Sequence, residues 1–139
     1  IPKVKLADDV EVRVIAGKLK DVQGPVRDIV VPVGYFDVSM PKGSRFIHHL
    51  QRGRNAFAYV FSGSVSDDGG STARSGQMAI IETDGEIRFE ADQAGARFLL
   101  VSGEPIREPI AWGGPVVMNT REELDEAFRE IENDTFVKK

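Results

Sequence analysis

The sequence predicts an all-β protein, an antiparallel barrel or double-sheet jelly roll, that ends in one α-helix. Short apolar runs alternate with polar residues along most of the chain, and 14 glycines divide these runs at turns. No helical periodicity occurs before residue 119. Because 139 residues suffice for one core, we expect residues 1–139 to form a single domain.

The first strands are predicted where extended apolar runs begin. In residues 10–14, valines alternate with charged side chains, and Gly17 follows as a stop signal. Two further extended runs occupy residues 29–31 and 35–40. Pro32 lies between them, and this residue predicts an edge position or a bend in the sheet.

A central hairpin is predicted next. Its first arm is residues 46–50, its turn is the glycine-containing segment 51–55, and its second arm is residues 56–61. Small and large apolar side chains alternate along the second arm. We therefore expect that strand to be buried on both faces.

The later strands are separated by clear turn sequences. Turns are predicted at residues 67–70 and 83–85, with strands at 77–81 and 86–91. One glycine separates the second of these strands from residues 96–102. The continuous apolar run in that last segment predicts burial on both faces of the sheet.

The C-terminal helix is predicted from Asn119 onward. Thr120 and Glu123 have the spacing of a capping box, in which each side chain satisfies a free backbone N–H group. One face of the helix is apolar and carries Leu124, Ala127, Phe128 and Ile131. We expect this face to pack on the barrel or on a neighbouring molecule.

Charge and composition exclude several classes of function. The formal net charge is −4, and no basic run occurs beyond Lys138 and Lys139, so direct nucleic-acid binding is not expected. No apolar run approaches the length of a membrane span, and no signal peptide is predicted. The chain contains no cysteine, which excludes disulfides and thiolate ligands and agrees with a cytoplasmic location.

A longer motif lies before the predicted helix. Residues 103–128 contain the elements G-x-P, E-P, G-P and V-M-N-T in that order. This segment closely resembles the C-terminal signature of the pirin family, and the resemblance continues upstream through residues 12–17, 24–26 and 55–57. It implies a cupin-type double-stranded β-barrel (a jelly roll) that corresponds to the C-terminal half of a two-cupin protein.

The resemblance also implies cofactors and partners. Iron is expected in the N-terminal cupin domain of full-length relatives, whereas the C-terminal barrel is expected to hold no cofactor. The expected partners are that N-terminal domain and regulatory or metabolic proteins. Barrels of this type often pair through their edge strands, so we also expect a homodimer.

The general cupin motif consists of a glycine, five residues, His-x-His and then a glutamate. Aligned on Gly43, the motif places His49 at the first ligand position, Gln51 at the second and Asn55 near the glutamate. Amide side chains bind iron, zinc and copper poorly, and no histidine follows His49. We therefore predict no metal site, with His49 as a vestigial ligand or a strand histidine without special function.

Two further residues have alternative roles. Successive residues of a strand point to opposite faces, so at most one of His48 and His49 should face inward. We expect a structural role for His48. Trp112 either presents an aromatic ring to a ligand or packs in a loop. The candidate pocket or interface residues are therefore His49, Gln51, Asn55 and Trp112, and no catalytic residue is assigned.

Three functions follow from these observations. The first is a metal-free, non-catalytic cupin domain that serves structural and regulatory protein-interaction roles. The second is part of a metal-dependent dioxygenase of the quercetinase type, whose iron site lies in an N-terminal cupin domain. The third is a metal-free binder of small molecules in the barrel interior. The ligand, the partners and the oligomeric state are not determined by the sequence.

Overall fold

The computed structural model describes residues 1–82 and 85–137, and within them the chain forms twelve β-strands and one α-helix. The strands are β1 (Lys3–Lys5), β2 (Glu11–Ala16), β3 (Lys18–Leu19), β4 (Val22–Gln23), β5 (Val33–Met40), β6 (Arg45–His49), β7 (Asn55–Ser66), β8 (Thr72–Arg74), β9 (Met78–Ile81), β10 (Glu86–Gly103), β11 (Ala111–Gly113) and β12 (Val116–Met118). Helix α1 spans Arg121–Glu132. Within these ranges, no helix is long and apolar enough to cross a bilayer.

The chain divides into two compact units, Ile1–Pro105 and Ile106–Lys139. The first unit contains an eight-stranded antiparallel sheet with the strand order β1-β2-β5-β10-β7-β8, in which β6 also pairs with β10 and β9 also pairs with β7. Strands β3 and β4 pair with each other in a separate two-stranded sheet. Antiparallel pairing and the strand content confirm the predicted all-β jelly-roll class. The predicted turn at residues 83–85 includes Thr83 and Asp84, which lie outside the described residues.

The long strands β7 and β10 turn the sheet through a corner. Residues 96–103 of β10 pair with β5, whereas residues 86–90 pair with β6. The pairing of β10 with β7 shifts register between Ala91 and Ala96. At this corner Gly63 has a positive φ of 68°, and a Cβ atom on it would lie 1.8 Å from the Gly95 carbonyl oxygen. A side chain at position 63 would therefore force the two strands apart.

The core of the first unit is formed by the inward-facing side chains of these strands. Its largest fully buried members are Phe46, Phe98 and Leu100, together with valines of β2, β5 and β7. The Phe98 ring makes edge-on contacts with Phe46 and Phe89, with centroids 5.6 and 5.5 Å away. Burying one such ring stabilises a fold by about 1.5–3 kcal/mol.

The second unit consists of the β11–β12 hairpin and helix α1. Thr120 and Glu123 form the predicted capping box, because each side chain accepts a hydrogen bond from the other residue's backbone N–H. Leu124 and Ala127 are buried against Val116, and Phe128 is partly buried there. Ile131, predicted on the same apolar face, is 40% exposed.

The predicted hairpin is wrong in its pairing. Strand β6 pairs with β10, with His48 opposite Ile87, whereas β7 pairs with β8, β9 and β10. The turn chemistry of residues 51–55 is present, but it connects strands that are not neighbours. Burial on both faces is also wrong for β7, since Ala56, Ala58 and Val60 are buried while Tyr59 is 40% exposed.

Two further strand predictions differ from the structure. Residues 29–31 form no strand, and Val30 is 98% exposed. Of the two alternatives predicted from Pro32, the edge position is wrong, because β5 lies between β2 and β10, whereas the chain does bend at residues 30–31. Pro32 precedes the first residue of β5, where a missing N–H group removes no ladder hydrogen bond.

Candidate functional site

A cavity of about 290 Å³ lies in the first unit, where β5 begins and β10 ends. We call it the mouth cavity. Its lining residues come from segments 17–23, 32–36 and 48–54, and from Ser102. It brings together His48, Arg54 and Ser102.

His48 lies inside this cavity. Its ring stacks on Phe46 with centroids 6.2 Å apart and meets the edge of Phe36 at 5.4 Å. Burial lowers the pKa of the His48 imidazole below its usual value of 6.5, and the charge of the neighbouring His49 lowers it further. Burial therefore favours the neutral imidazole.

His49 points the other way, as the alternation of a strand requires. Its side chain is 80% exposed, and Nε2 lies 3.1 Å from the Glu86 carboxylate, which also pairs with Arg88. Of the two histidines, His48 faces the apolar interior. His49 borders the cavity from its solvent side.

The inward direction of His48 shifts the cupin motif by one residue. Counted from His48, the second histidine position holds Leu50 and the glutamate position holds Arg54. Leu50 is 5% exposed and belongs to the core cluster. The positions that face the interior therefore carry an imidazole, an aliphatic side chain and a cation.

Arg54 has an unusual environment. Its Nε atom is buried and has no hydrogen-bond partner in the part of the chain that the structure describes. The backbone N–H of Arg54 donates to the Gln51 carbonyl at 3.4 Å, which closes the turn before β7 and directs the side chain to the cavity. A buried guanidinium atom without a partner is costly, because it has lost its water and gained nothing in exchange.

Ser102 is the second buried polar residue of the cavity, with 6% of its surface exposed. It lies in a row across three strands, opposite Gly34 of β5 and Ala56 of β7. A Cβ atom on Gly34 would lie 2.8 Å from the Ser102 hydroxyl oxygen. The absence of a side chain at Gly34 thus leaves room at this hydroxyl group.

The remaining predicted site residues are not all brought together. Gln51 lines the mouth cavity beside His49, whereas Asn55 lines a neighbouring cavity of about 760 Å³. Trp112 belongs to the second unit, is 72% exposed, and donates its indole N–H to the Gly114 carbonyl at 2.8 Å.

Arg54 and Ser102 are cavity residues that were not predicted from the sequence. A signal for Arg54 was present, because Phe46 and Leu50 flank His48 at two-residue spacing and indicate that His48, not His49, faces inward. The motif counted from His48 then reaches Arg54. No local pattern indicates Ser102, since its place in the cavity depends on pairing with distant strands.

A second polar cluster, also missed, lies on the outer face of the sheet. Asp37 accepts two hydrogen bonds from Arg97, at 2.9 and 2.6 Å, and one from Arg13 at 3.4 Å. These arginines hold the pKa of the Asp37 carboxyl below its usual 3.8, the hydrogen bonds from Arg97 having the largest effect, although burial opposes it. The Arg97 guanidinium also lies 5.0 Å from the centre of the Phe61 ring. We call Arg13, Asp37 and Arg97 the outer clamp.

The mouth cavity does not have the donors that iron requires. Within residues 1–82 and 85–137, no three or more His, Asp or Glu side chains are placed to hold a metal ion. Leu50 offers no lone pair, and the Arg54 guanidinium would repel a cation. His48, Leu50 and Arg54, at the inward motif positions, therefore do not fit an iron ion of the kind expected in the N-terminal cupin domain of full-length relatives.

Comparison with known proteins assigns the family. Residues 35–137 match the family described as the pirin C-terminal cupin domain. The chain belongs to the pirin family. This confirms the resemblance of residues 103–128 to its C-terminal signature.

Individual pirin-family relatives agree with this assignment. The chain is 35% identical over 136 residues to a Pseudomonas aeruginosa protein named "Putative quercetin 2,3-dioxygenase", covering 94% of the chain and 47% of that protein. It is 32% identical over 137 residues to pirin of Rattus norvegicus, covering 96% and 47%. The chain thus spans about half the length of these relatives.

A solved structure shares the fold. The crystal structure of quercetin 2,3-dioxygenase from Acinetobacter baumannii superposes with a TM-score of 0.86 at 27% identity, covering 97% of the chain and 47% of that protein. The pirin-family chain therefore shares the fold of about half of that protein.

Proposed function

We propose that this chain is a pirin C-terminal cupin domain that is metal-free and non-catalytic by itself and serves structural and protein-interaction roles. Its first partner in this proposal is the N-terminal cupin domain of a two-cupin protein. The cytoplasm is the proposed location, with which the absence of cysteine agrees. The observation that carries the proposal is the inward placement of Leu50 and Arg54 at the metal-ligand positions.

The outer surface of the sheet supports an interaction role. Strand β9 exposes Met78 and Ile80, with 54% and 66% of their surface accessible, next to Tyr59 of β7. Neighbouring exposed apolar side chains are typical of surfaces that another protein or domain covers. Because the interior lacks a set of metal ligands, this exposed apolar surface is the part of the domain proposed to bind its partners.

The test is to restore the metal ligands in the inward register. The double variant Leu50→His/Arg54→Glu adds a histidine and a carboxylate around His48, so we expect it to gain Fe(II) or Zn(II) binding that the wild-type chain lacks. Metal content is measured by elemental mass spectrometry after equilibration and desalting. Circular dichroism checks that the variant retains its strands.

The matched control is Gln51→His/Asn55→Glu, which places the same ligand types one residue later. Because His49 points outward, we expect this variant to gain no metal. Stoichiometric metal in the wild-type chain, or an equal gain in both variants, would refute the proposal. If Leu50→His/Arg54→Glu does not fold, metal analysis of wild type and His48→Ala still decides whether the native cavity binds metal.

The second candidate is a dioxygenase half-molecule. The names of the Pseudomonas and Acinetobacter relatives favour it, and the pirin-family chain spans about half of each. In this candidate an N-terminal cupin domain holds the iron and this domain completes the enzyme. Oxygen consumption with quercetin is measured for the chain alone and for a two-domain relative. Quercetin-dependent oxygen consumption by the chain alone with added Fe(II) would indicate catalysis within this domain. That result would contradict both the non-catalytic role and the half-molecule candidate.

A further inference from the structure

We propose that the mouth cavity binds a small carboxylic acid with an apolar body, and that Arg54 holds its carboxylate group. This inference goes beyond the proposed structural role, because it assigns a ligand to the interior of the same domain. It rests on a half-buried cation whose Nε atom has no partner among the described residues, on the charge of the lining, and on the apolar walls around it.

The unpaired cation is the first argument. The Arg54 side chain is half-buried, its Nε atom is fully buried, and this atom has no partner among the described residues. A guanidinium presents its N–H groups in a planar fork that fits both oxygens of a carboxylate. A carboxylate in the cavity would neutralise the charge of the Arg54 side chain, which lines it, and Nε would donate a hydrogen bond to it once the side chain turns toward the cavity.

The charge of the lining is the second argument. No Asp or Glu of the described ranges lines the mouth cavity, whereas Lys18 lines it together with Arg54. The Lys18 side chain is exposed at its opening. Lys18 and Arg54 favour an anion over a metal ion in the mouth cavity, and the nearest carboxylates lie outside its lining, with Glu82 and Glu104 in the neighbouring cavity that Arg54 also lines and Glu86 beside His49.

Buried polar groups near Arg54 extend the anion site. The Ser102 hydroxyl is buried and faces the space left by Gly34. A hydroxyl group can donate one hydrogen bond to a carboxylate oxygen. His48, a neutral imidazole packed on Phe46, can donate another through its N–H group.

The apolar walls select an organic acid over an inorganic anion. Phe36, Val33 and Leu50 line the same cavity, and Phe36 and Leu50 are 2% and 5% exposed. Phosphate would leave these walls unoccupied, whereas a ring or short chain attached to the carboxylate would cover them. At about 290 Å³ the cavity is at the lower end of the range for ligand sites, so the acid must be small.

The experiment uses the 139-residue chain and three probes at constant ionic strength: sodium benzoate, neutral benzamide and sodium phosphate. Binding is followed by titration calorimetry and by the NMR signal of the Arg54 Nε–H group. We expect saturable benzoate binding, at least tenfold weaker benzamide binding, and a downfield shift of the Nε–H signal on saturation with benzoate.

The decisive variant is Arg54→Gln, with Arg52→Gln as its matched control. Arg52 is an exposed arginine of the same turn and does not line the cavity. We expect Arg54→Gln to weaken benzoate binding at least tenfold and Arg52→Gln to leave it within twofold. Ser102→Ala should weaken binding severalfold. If Arg54→Gln does not fold, Arg54→Lys keeps the charge but loses the fork and should weaken binding severalfold.

Three results would overturn the inference. One is the absence of saturable benzoate binding to the wild-type chain. Another is an equal loss of benzoate affinity in Arg52→Gln and Arg54→Gln, which would indicate that benzoate is attracted to a basic surface in general. The third is phosphate binding that displaces benzoate, which would assign the site to inorganic anions. None of these results bears on metal binding, so the proposed function is tested separately.

Discussion

Phe36 and Asp37 are adjacent residues of β5, yet they belong to two different regions. The Phe36 ring lies in the mouth cavity against His48, whereas the Asp37 carboxylate lies in the outer clamp between Arg13 and Arg97. Both regions lower the pKa of a titratable group, but for opposite reasons. Burial removes the charge of His48, and two arginines preserve the charge of Asp37. One strand thus separates an apolar interior from an ionic surface.

The largest expected loss of stability is for a substitution on the inner face of β5. Phe36→Ala removes a ring that is 2% exposed and leaves a hole beside His48, so we expect a loss of about 3–5 kcal/mol in the free energy of unfolding. Urea denaturation measures the loss. Ser39→Ala, at an exposed position of the same strand, is the control and should stay within about 0.5 kcal/mol. Similar losses in both variants would contradict the distinction between the faces.

The next largest loss of stability is expected for a substitution in the outer clamp. Asp37→Asn keeps the shape but removes the charge that pairs with two arginines, so we expect a loss of about 1–3 kcal/mol. The lower end of this range is realistic, because both arginine side chains are 39% exposed and water screens them. Asp68→Asn, in an exposed pair with Arg88, should lose far less in the same urea experiment.

The acid dependence of the outer clamp has a definite sign. The folded-state pKa of Asp37 lies below 3.8, so the contribution of the ionised carboxylate to the free energy of unfolding is fully present above that value. It disappears as the pH falls through the folded-state pKa. In Asp37→Asn this part of the acid dependence should be absent. An unchanged dependence below pH 3.8 would show that the clamp does not stabilise the folded state.

A smaller effect is expected from His48 at higher pH. Its folded-state pKa lies below 6.5, so the unfolded chain takes up the proton first and stability decreases as the pH falls below 6.5. The decrease ends once the pH is below the folded-state pKa. His48→Gln should remove this decrease, as measured by thermal unfolding between pH 7 and 5. His49→Gln, at the exposed neighbouring position, should retain most of it.

The smallest effect is expected at an isolated surface pair. Arg45 lies 3.3 Å from Glu90, and the two side chains are 72% and 55% exposed. Arg45→Ala should therefore change the free energy of unfolding by about 0.5 kcal/mol or less. A loss as large as that of Asp37→Asn would mean that burial of Asp37 is not what distinguishes the outer clamp.

Local patterns predicted the elements better than their partners. The alternating valines of β2, the alternation of residues 86–91 and the capping box at Thr120 are each encoded by near neighbours, and each was found. The pairing of β6 with β10 was not predicted. It joins residues about forty positions apart, and no local signal competes with a plausible turn at 51–55.

The dependence on distant strands also explains why the candidate site was only partly predicted from the sequence. The motif counted from Gly43 gives His49, Gln51 and Asn55, whereas the alternation of Phe46, His48 and Leu50 indicates that His48 faces the interior, as the structure shows. The outer clamp draws one residue from each of three strands, β2, β5 and β10. Their proximity depends on the strand order of the sheet, which the sequence alone did not provide.

Strand β10 also determines when this unit can fold during synthesis. Met40 at the end of β5 pairs with Ala96, which is translated 56 residues later. At about 5–20 residues per second, the ribosome needs about 3–11 s to make that interval. During this time the edge of β5 that pairs with β10 has no partner. Its backbone N–H and C=O groups can then pair with another chain until β10 emerges.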